Sequence, residues 1–292
     1  MSPTLLGQLL VVGLATGAIY ALVALGYSII FSTTRILNFA QGEFLMIGAL
    51  VGYTLWVSWG FPLPLALLLL LPLMALIGAL SEKLIMVPVR LSGSRYAWII
   101  ATLGVSIVLR NLMVIPYGRE SYPFPPLVAA PPWRLGGVVV EPQQVVILLT
   151  ALALMVGFEL FLNRTSTGRA LRATAHSPDV ASLMGVNVPA MVTLTFILSA
   201  MVTGIAGVLV APVTTADANM GLLLGIKGFV AVILGGMGST KGAAAGGLAI
   251  GVLESVVRGV LPASLGNIAV FAVLAVILLV RPSGLFGKAI LH

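Results

Sequence analysis

The chain has 292 residues, of which 60% are hydrophobic and 8% are charged, and its net charge at pH 7 is +7. Soluble domains carry about 25% charged residues, so this sequence cannot cover the surface of a water-soluble protein of its size. The absence of cysteine excludes disulfides, thiolate zinc sites and iron–sulfur clusters, and the two histidines, His176 and His292, are too few for a histidine metal cluster. The composition predicts an integral membrane protein without a metal site.

Hydrophobic segments of spanning length recur along the whole sequence. A helix needs roughly 20 apolar residues to cross about 30 Å of hydrocarbon. About nine segments qualify, and we expect an all-α bundle of transmembrane helices, some of them interrupted, in a single domain over residues 1–292. The first segment has no basic flank before Arg35 and is expected to be retained rather than cleaved as a signal peptide. The segments are 5–31, 36–59, 62–81, 96–115, 142–162, 189–211, 222–237, 243–261 and 266–280.

The basic residues predict how these segments are oriented. Ten of them fall in connections that alternation places on one side, including the connection 82–95, whereas Arg119 and Arg134 fall on the other side. Because cytoplasmic loops are rich in Lys and Arg, we expect the N-terminus outside and the C-terminus in the cytoplasm. Basic residues spread singly in this way do not form the basic face that a nucleic-acid interface needs. The ten are Arg35, Lys83, Arg90, Arg95, Arg164, Arg169, Arg172, Lys241, Arg281 and Lys288.

A polar interruption opens the second segment. Asn38, Gln41 and Glu43 lie around Gly42, and a break at membrane depth must be buried in protein or line a wet cavity. On one helix Glu43 would lie about 140° from Asn38, so either the helix breaks at Gly42 or Glu43 serves a different surface from the two amides. A carboxylate in a membrane segment is a functional candidate, with pairing to Arg35 as the structural alternative.

The connection 116–142 contains seven prolines and is predicted to lie outside. Proline lacks the donor that a helix or a strand ladder needs, so we expect an extended, stiff surface segment. It can serve as a contact for a partner or as a solvated connection with interfacial aromatic residues.

The connection 163–188 is predicted to be cytoplasmic and to contain a short helix. Ser177 suits the N-cap, Pro178 the first helical position and Asp179 the positive end of the helix dipole, and Gly185 ends the helix. Such a helix can dock a partner, or it can lie on the membrane surface, held by the neighbouring arginines.

A second interruption lies near the end of the seventh segment, where Gly235, Gly236 and Gly238 precede Lys241. When Gly42 is aligned with Gly242, the residues that follow them show a faint internal similarity, mostly of glycine and alanine. Paired interruptions of this kind point to a transport site. Glycines four residues apart, as at Gly13 and Gly17, predict close helix packing throughout the bundle.

Three further charged residues lie in the last spans. Glu254 and Arg258 are four residues apart and are expected to pair along one helix face. Lys227 has no evident acidic partner in the sequence unless Asp217 folds back towards it.

The sequence lacks the motifs of an enzyme. No G-x-x-x-x-G-K-S/T phosphate loop occurs, so we expect no ATPase site in this chain. His176, Ser177 and Asp179 are neighbours in sequence, which does not make a catalytic triad, and no catalytic residue is predicted. We also expect no cofactor bound by this chain itself.

The chain resembles a known family at this point. Asp179, Ala181 and Gly185 have the spacing of the E-A-A-x-x-x-G loop of ABC-importer permeases, with Asp in place of Glu and Val180 in place of the first Ala. Together with the stretches 26–31, 37–44, 167–173 and 231–239, this motif resembles the branched-chain amino-acid permeases of the LivH type over residues 5–286.

The resemblance implies an importer component in the bacterial inner membrane. Its partners would be a homologous second permease, two cytoplasmic ATPase subunits that bind the ATP and Mg²⁺, and a periplasmic substrate-binding protein. The coupling residues implied are Arg169, Arg172, Asp179, Ala181 and Gly185 within the loop 163–188. The translocation pathway would run near Asn38, Gln41, Gly42, Glu43, Gly235, Gly236 and Gly238.

Other functions stay open at this level. The same machinery also serves urea, short amides or aromatic acids in relatives that share these motifs. A secondary carrier or channel without ATPases is disfavoured because few ionisable groups lie in the spans. A structural subunit of a membrane complex would account for the glycine packing but not for the two interrupted segments.

Overall fold

The computed structural model describes residues 2–92, 94, 96–280 and 284–285. Arg95, Arg281 and Lys288, which contribute to the predicted orientation, lie outside these residues. The described part of the chain forms helices joined by short connections, with one small hairpin between the fourth and fifth helices. The helices are α1 (Pro3–Thr34), α2 (Gln41–Tyr53), α3 (Leu63–Ser92), α4 (Ala97–Tyr117), α5 (Pro142–Arg164), α6 (Ser166–His176), α7 (Pro178–Leu183), α8 (Val188–Thr214), α9 (Met220–Gly235), α10 (Thr240–Val260) and α11 (Ala263–Val280), the strands of the hairpin are β1 (Trp133–Leu135) and β2 (Val138–Val140), and a π-helical segment, Thr54–Ser58, continues α2.

The expected all-α bundle of membrane helices is confirmed at the level of fold class. A helix lies in each of the nine predicted segments, and six of them are long and apolar enough to cross a membrane. These six are α1, α3, α4, α5, α8 and α10. Helix α9 and the apolar part of α11, Ile268–Ile277, are shorter, and α2 spans 13 residues before its π-helical continuation.

The expected start of a connection at residue 82 is wrong, because α3 continues to Ser92. Apolar residues continue the helical pattern beyond Ser81, and Pro88 is accommodated within the helix. Glu82 is buried against α8, where its carboxylate accepts a hydrogen bond from Thr193 Oγ1 at 3.2 Å. The carboxylate that seemed to open a loop therefore belongs to the helix interface.

Helix α1 forms the centre of the bundle. It is almost wholly buried from Gly13 to Ile30, and α10 packs along its first half. A side chain at Gly251 would overlap the backbone of Gly17, and a side chain at Gly17 would lie 2.8 Å from Leu248 Cα. Glycine is thus required for the close approach of α1 and α10, as its spacing predicts.

The bundle has two distinct ends. At one end, Gln8 of α1 exchanges hydrogen bonds with the backbone of Val139 in the hairpin, and Tyr122 pairs with Ala216. At the opposite end, Arg35 donates to the carbonyl oxygen of Ala175 in α6 at 3.2 Å. The proline-rich connection has no helix over residues 118–132, but it is not extended throughout, because it contains turns and the hairpin of β1 and β2. It lies at the same end of the bundle as the start of α1.

Candidate functional site

The polar interruption lies deep inside the bundle. After α1 ends, residues 35–40 run back along it, so that α2 begins beside Gly26 rather than at the level of Thr34. Gly26 precedes the end of α1 by eight residues, which is about 12 Å of helix. The start of α2 therefore lies about 12 Å inside the bundle from the end of α1, with its residues buried in protein.

Gln41 faces the interior between α1 and α8. Its Nε2 donates to Thr203 Oγ1 at 2.6 Å, and its Oε1 accepts from Ser199 Oγ at 3.0 Å. The Ser199 hydroxyl also lies 2.9 Å from the carbonyl oxygen of Gly26. Both ends of the amide are engaged inside the bundle, and the side chain ties α2 to its two central neighbours.

Asn38 and Glu43 each keep one polar atom without a partner. Asn38 Oδ1 accepts from the Ala40 amide at 3.1 Å, whereas its Nδ2 has no hydrogen bond. Glu43 Oε1 accepts from Ser106 Oγ of α4 at 2.9 Å, whereas its Oε2 has none. These residues are only 1% and 2% exposed, so both unpartnered atoms are withdrawn from solvent.

Glu43 faces a different surface from Gln41. Helix α2 begins at Gln41, and Glu43 turns towards α4 while Gln41 turns towards α8. Of the two alternatives that the spacing left open, the second holds for Gln41, whereas Asn38 precedes α2 and its side chain accepts from the Ala40 amide. Arg35, the alternative partner for Glu43, instead contacts Ala175 and the ring of Phe31.

Gly42 lets α2 meet the first turns of α9. A side chain at Gly42 would overlap the carbonyl group of Gly221 and lie 3.1 Å from Gly225 Cα. A Cβ atom at Gly221 would lie 3.2 Å from Glu43 Oε2, so the carboxylate is beside the N-terminal turn of α9 as well as within that of α2. The positive ends of two helix dipoles thus flank this buried carboxylate.

The second interruption lies at the end of the bundle rather than at its middle. Gly236 and Gly238 adopt positive φ angles of 102° and 80° in the turn between α9 and α10. A side chain at Gly238 would meet Phe31 Cδ1 at 3.7 Å, next to the end of α1. Gly235 packs against Gly242 of α10. The structure therefore does not bring Gly235, Gly236 and Gly238 to Asn38, Gln41, Gly42 and Glu43.

The connection 163–188 is largely helical. Thr165 caps α6 through a hydrogen bond from the Gly168 amide, and Ser177 caps α7 through one from Val180. Gly185, with φ of 82°, ends α7 while Val186 donates back to the carbonyl oxygen of Ala181 at 3.0 Å. The short helix and both of its ends lie where the capping residues predict.

The predicted coupling residues differ in solvent exposure and therefore in their access to a partner. Arg169, Arg172 and Asp179 are exposed, and Arg172 donates to Asn163 Oδ1 at 2.6 Å. Ala181 is 2% exposed and faces the bundle. The outermost side chains of α7 and its end are apolar: Leu183 is 87% exposed and Met184 is 80% exposed. The motif spacing did not single out these two residues.

Comparison with known proteins shows the family of this chain. The family described as branched-chain amino acid transport system / permease component matches residues 9–280. This chain belongs to that permease family. It is 32% identical over 294 residues to the high-affinity branched-chain amino acid transport system permease protein BraD of Pseudomonas aeruginosa, covering 96% of this chain and 95% of BraD. It is 31% identical to LivH of Salmonella typhimurium, with 94% of each chain covered.

A solved structure shares the fold of this LivH-type permease. The protein PsaBC of Streptococcus pneumoniae, determined in complex with a Fab, superposes with a TM-score of 0.51 at 15% sequence identity, over 96% of this chain and 91% of that one. At this identity the likeness concerns the fold alone. The permease is a multi-pass membrane protein and a component of an ABC transport system.

A buried ionic cluster connects three helices of the permease. Glu254 of α10 accepts from Lys227 of α9 at 2.6 Å and from Tyr20 of α1 at 2.8 Å. Arg258 also pairs with Glu254 at 2.5 Å, as its four-residue spacing predicts. Asp217 does not reach Lys227; it accepts from the Asn219 amide at 2.7 Å. The suggested partner of Lys227 was therefore wrong, because the true partner lies on a neighbouring helix.

Among the residues that the structure describes, no group of three or more His, Cys, Asp or Glu side chains is placed to hold a metal ion.

Proposed function

We propose that this chain is the permease subunit of an ATP-driven importer of branched-chain amino acids. The observation that supports this substrate is the similarity to permeases whose names specify that transport system. About a third of the positions are identical over nearly the full length. The chain supplies the membrane pathway and no ATPase site. Urea, short amides and aromatic acids are the alternative cargoes.

The connection 163–188 is the coupling loop of this permease. Leu183 and Met184 form an exposed apolar tip at the end of α7, a helix whose N-terminus is capped by a side-chain hydrogen bond. Burial of two such side chains in a groove of a partner releases several kcal/mol, by about 1.5–3 kcal/mol each. Arg169, Arg172 and Asp179 surround the tip with charge, and Gly185 shapes the turn behind it. Ala181 contributes by packing α7 against the bundle.

The partners are a homologous second permease, two cytoplasmic ATPase subunits that bind ATP and Mg²⁺, and a periplasmic binding protein. We place the chain in the bacterial inner membrane with nine membrane segments in a single domain. The start of α1 and the hairpin face the periplasm, and α6 and α7 face the cytoplasm. The contacts of Gln8 with Val139 and of Arg35 with Ala175 support this assignment, because they separate the two sets of connections by end.

The translocation pathway passes the start of α2. Asn38 and Glu43 support this proposal through their unpartnered polar atoms at membrane depth, and Gly42 holds α9 beside them. Gln41 contributes as a structural tie behind the pathway. Gly235, Gly236 and Gly238 belong to the inner end of the path, where the turn between α9 and α10 meets the end of α1.

The test is uptake of radiolabelled leucine into vesicles that contain this chain, its partner permease and both ATPases, with ATP inside the vesicles and the binding protein and leucine outside. ATP-dependent uptake that disappears when the ATPases are omitted is the expected result. Uptake that persists without ATPases contradicts the importer proposal and favours a carrier. Intact assembly without leucine uptake contradicts the substrate, and urea, amides and aromatic acids are then offered in the same vesicles.

A further inference from the structure

Helices α2 and α4 run alongside each other and meet mainly through side chains. At the inner end, the ring of Phe39 stacks on that of Trp98, with centroids 6.0 Å apart and planes within 5°. In the middle, Ser106 donates to Glu43. At the outer end, Thr54 Oγ1 and Tyr117 Oη lie 2.5 Å apart. We call this boundary, from Phe39 and Trp98 to Thr54 and Tyr117, the α2/α4 seam.

The seam can open more easily than the other boundaries of α2. Towards α8 and α9, α2 is held by backbone contacts at Gly48 and Gly42, where no side chain fits. Towards α4, it is held by one ring stack and two side-chain hydrogen bonds. A hydrogen bond contributes about 1 kcal/mol net and the ring stack a similar amount, so these three contacts contribute about 3 kcal/mol, to which the apolar cluster of Ala40 and Val105 adds.

Two opposite charges lie near each other within the seam without forming an ion pair. Arg110 follows Ser106, the residue that donates to Glu43, by one helical turn, about 6 Å along the same face of α4. In the described part of the chain, no ion pair within 4.0 Å joins Arg110 to Glu43. Glu43 Oε2 also lacks a hydrogen bond, although the residue is buried. A buried carboxylate oxygen without a partner costs free energy unless a ligand uses it.

We propose that the α2/α4 seam is a binding site for a zwitterionic amino acid, in which Glu43 receives the α-ammonium group and Arg110 the α-carboxylate. This inference rests on the proposed function and specifies the substrate contacts of its pathway. A zwitterion carries one charge of each sign, which complements a carboxylate and a guanidinium that are separated and not paired. Its side chain lies against the apolar residues of α2 and α4 on either side of these groups.

The structure represents the closed form of this site. Ser106 occupies one oxygen of Glu43, and the ring stack and the Thr54–Tyr117 contact close the seam at both ends. Binding requires α4 to move away from α2, which exchanges the Ser106 hydrogen bond for one from the α-ammonium group. The two closures at the ends give the site an inner and an outer exit, as alternating access requires.

The test measures equilibrium binding of radiolabelled leucine to the assembled complex of both permeases and ATPases in lipid nanodiscs, without the binding protein. Two competitors separate the charged groups: isocaproate, which is leucine without its amino group, and isoamylamine, which is leucine without its carboxylate. We expect Glu43→Gln to weaken leucine binding at least about tenfold, because a charge-assisted hydrogen bond is lost, and to leave isocaproate binding unchanged. Arg110→Gln should weaken leucine binding similarly and leave isoamylamine binding unchanged.

Glu82→Gln is the matched control, since Glu82 is also buried in the bundle and also accepts from one hydroxyl group, that of Thr193. It should preserve the affinities of all three ligands within about twofold. The inference is overturned if the wild-type complex binds no leucine, or if Glu43→Gln weakens leucine and isocaproate equally. If Glu43→Gln does not assemble, Arg110→Gln with isoamylamine decides the question by the same criterion. ATP-dependent leucine uptake by the wild type, measured alongside, separates a failure of this inference from a failure of the proposed function.

Discussion

Lys227 Nζ lies 2.6 Å from Glu254 Oε1 inside the bundle, and both side chains are 3% exposed. The same carboxylate also accepts from Tyr20 and pairs with Arg258, so it joins α1, α9 and α10. Because Glu254 is shared by two cations, the loss of Glu254 and the loss of Lys227 should have unequal effects on stability. Without Glu254, Lys227 keeps only the Tyr20 hydroxyl at 3.2 Å, whereas without Lys227, Glu254 keeps Arg258 and Tyr20.

Glu254→Gln should therefore destabilise the protein more than Lys227→Met. Removing one partner of a buried pair costs about 3–5 kcal/mol, because an uncompensated charge stays in a medium of low polarity. We expect a loss in this range for Glu254→Gln and a smaller loss for Lys227→Met, measured as thermal unfolding in detergent. Lys83→Met, which removes an exposed cation, is the control and should change stability little. Equal losses for the two buried variants would show that Arg258 does not compensate.

The close contact of α1 and α10 predicts opposite effects of the same substitution at two glycines. Gly251→Ala should destabilise the protein by about 1–3 kcal/mol, because the added methyl group overlaps Gly17. Gly157→Ala in α5 should be neutral or stabilising by up to about 1 kcal/mol, because nothing lies within 4 Å of its added methyl group and alanine favours helix. Thermal unfolding of the two variants in parallel checks this. A similar loss in both would argue against the α1/α10 contact.

The apolar tip of α7 should dominate binding of the ATPase subunits. Leu183→Asp places a charge where an exposed apolar side chain is expected to enter a partner groove, and it should weaken ATPase binding by about 30-fold, or about 2 kcal/mol. Ser121→Asp adds the same charge in an exposed position of the proline-rich connection and is the control. Co-purification of the ATPases with the permease pair measures both. If Leu183→Asp binds the ATPases as well as the wild type does, the tip of α7 is not part of the ATPase interface.

The proposed orientation can be tested by labelling, because the chain has no cysteine of its own. Glu120→Cys and Ser182→Cys place single thiols at two exposed positions at opposite ends of the bundle. In spheroplasts, a membrane-impermeant maleimide should label Glu120→Cys directly and Ser182→Cys only after permeabilisation. The reverse pattern would invert the proposed topology, and labelling of both in spheroplasts that have not been permeabilised would mean that the two connections share one side.

Much of the local structure was predictable because its causes are local. The helix α7 begins with Ser177 and Pro178 and ends before Gly185, as capping and the positive φ of glycine dictate. The pairing of Glu254 with Arg258 followed from their spacing on one helix. The extension of α3 past Glu82 was missed, because a charged residue resembles a loop signal until its buried partner Thr193 is known.

The candidate site was predictable only in part. The cluster of Asn38, Gln41 and Glu43 drew attention through its polarity, yet Gln41 proves to be engaged on both sides while the other two keep free atoms. Arg110, four residues beyond Ser106, gained meaning only once α4 was placed beside α2. The glycines near Lys241 resembled a second interruption at membrane depth but form a turn at the end of the bundle.

The sequence by itself determined that this is a membrane protein, where most of its long helices lie and to which family it belongs, since hydrophobicity, capping and motif spacing are properties of short stretches of chain. Only the tertiary structure decided which polar groups meet. Lys227 and Glu254 are 27 residues apart, and Glu43 and Ser106 are 63 apart. Such pairings depend on the rotation and depth of each helix against its neighbours, which close glycine contacts and helix ends set together and which no single segment encodes.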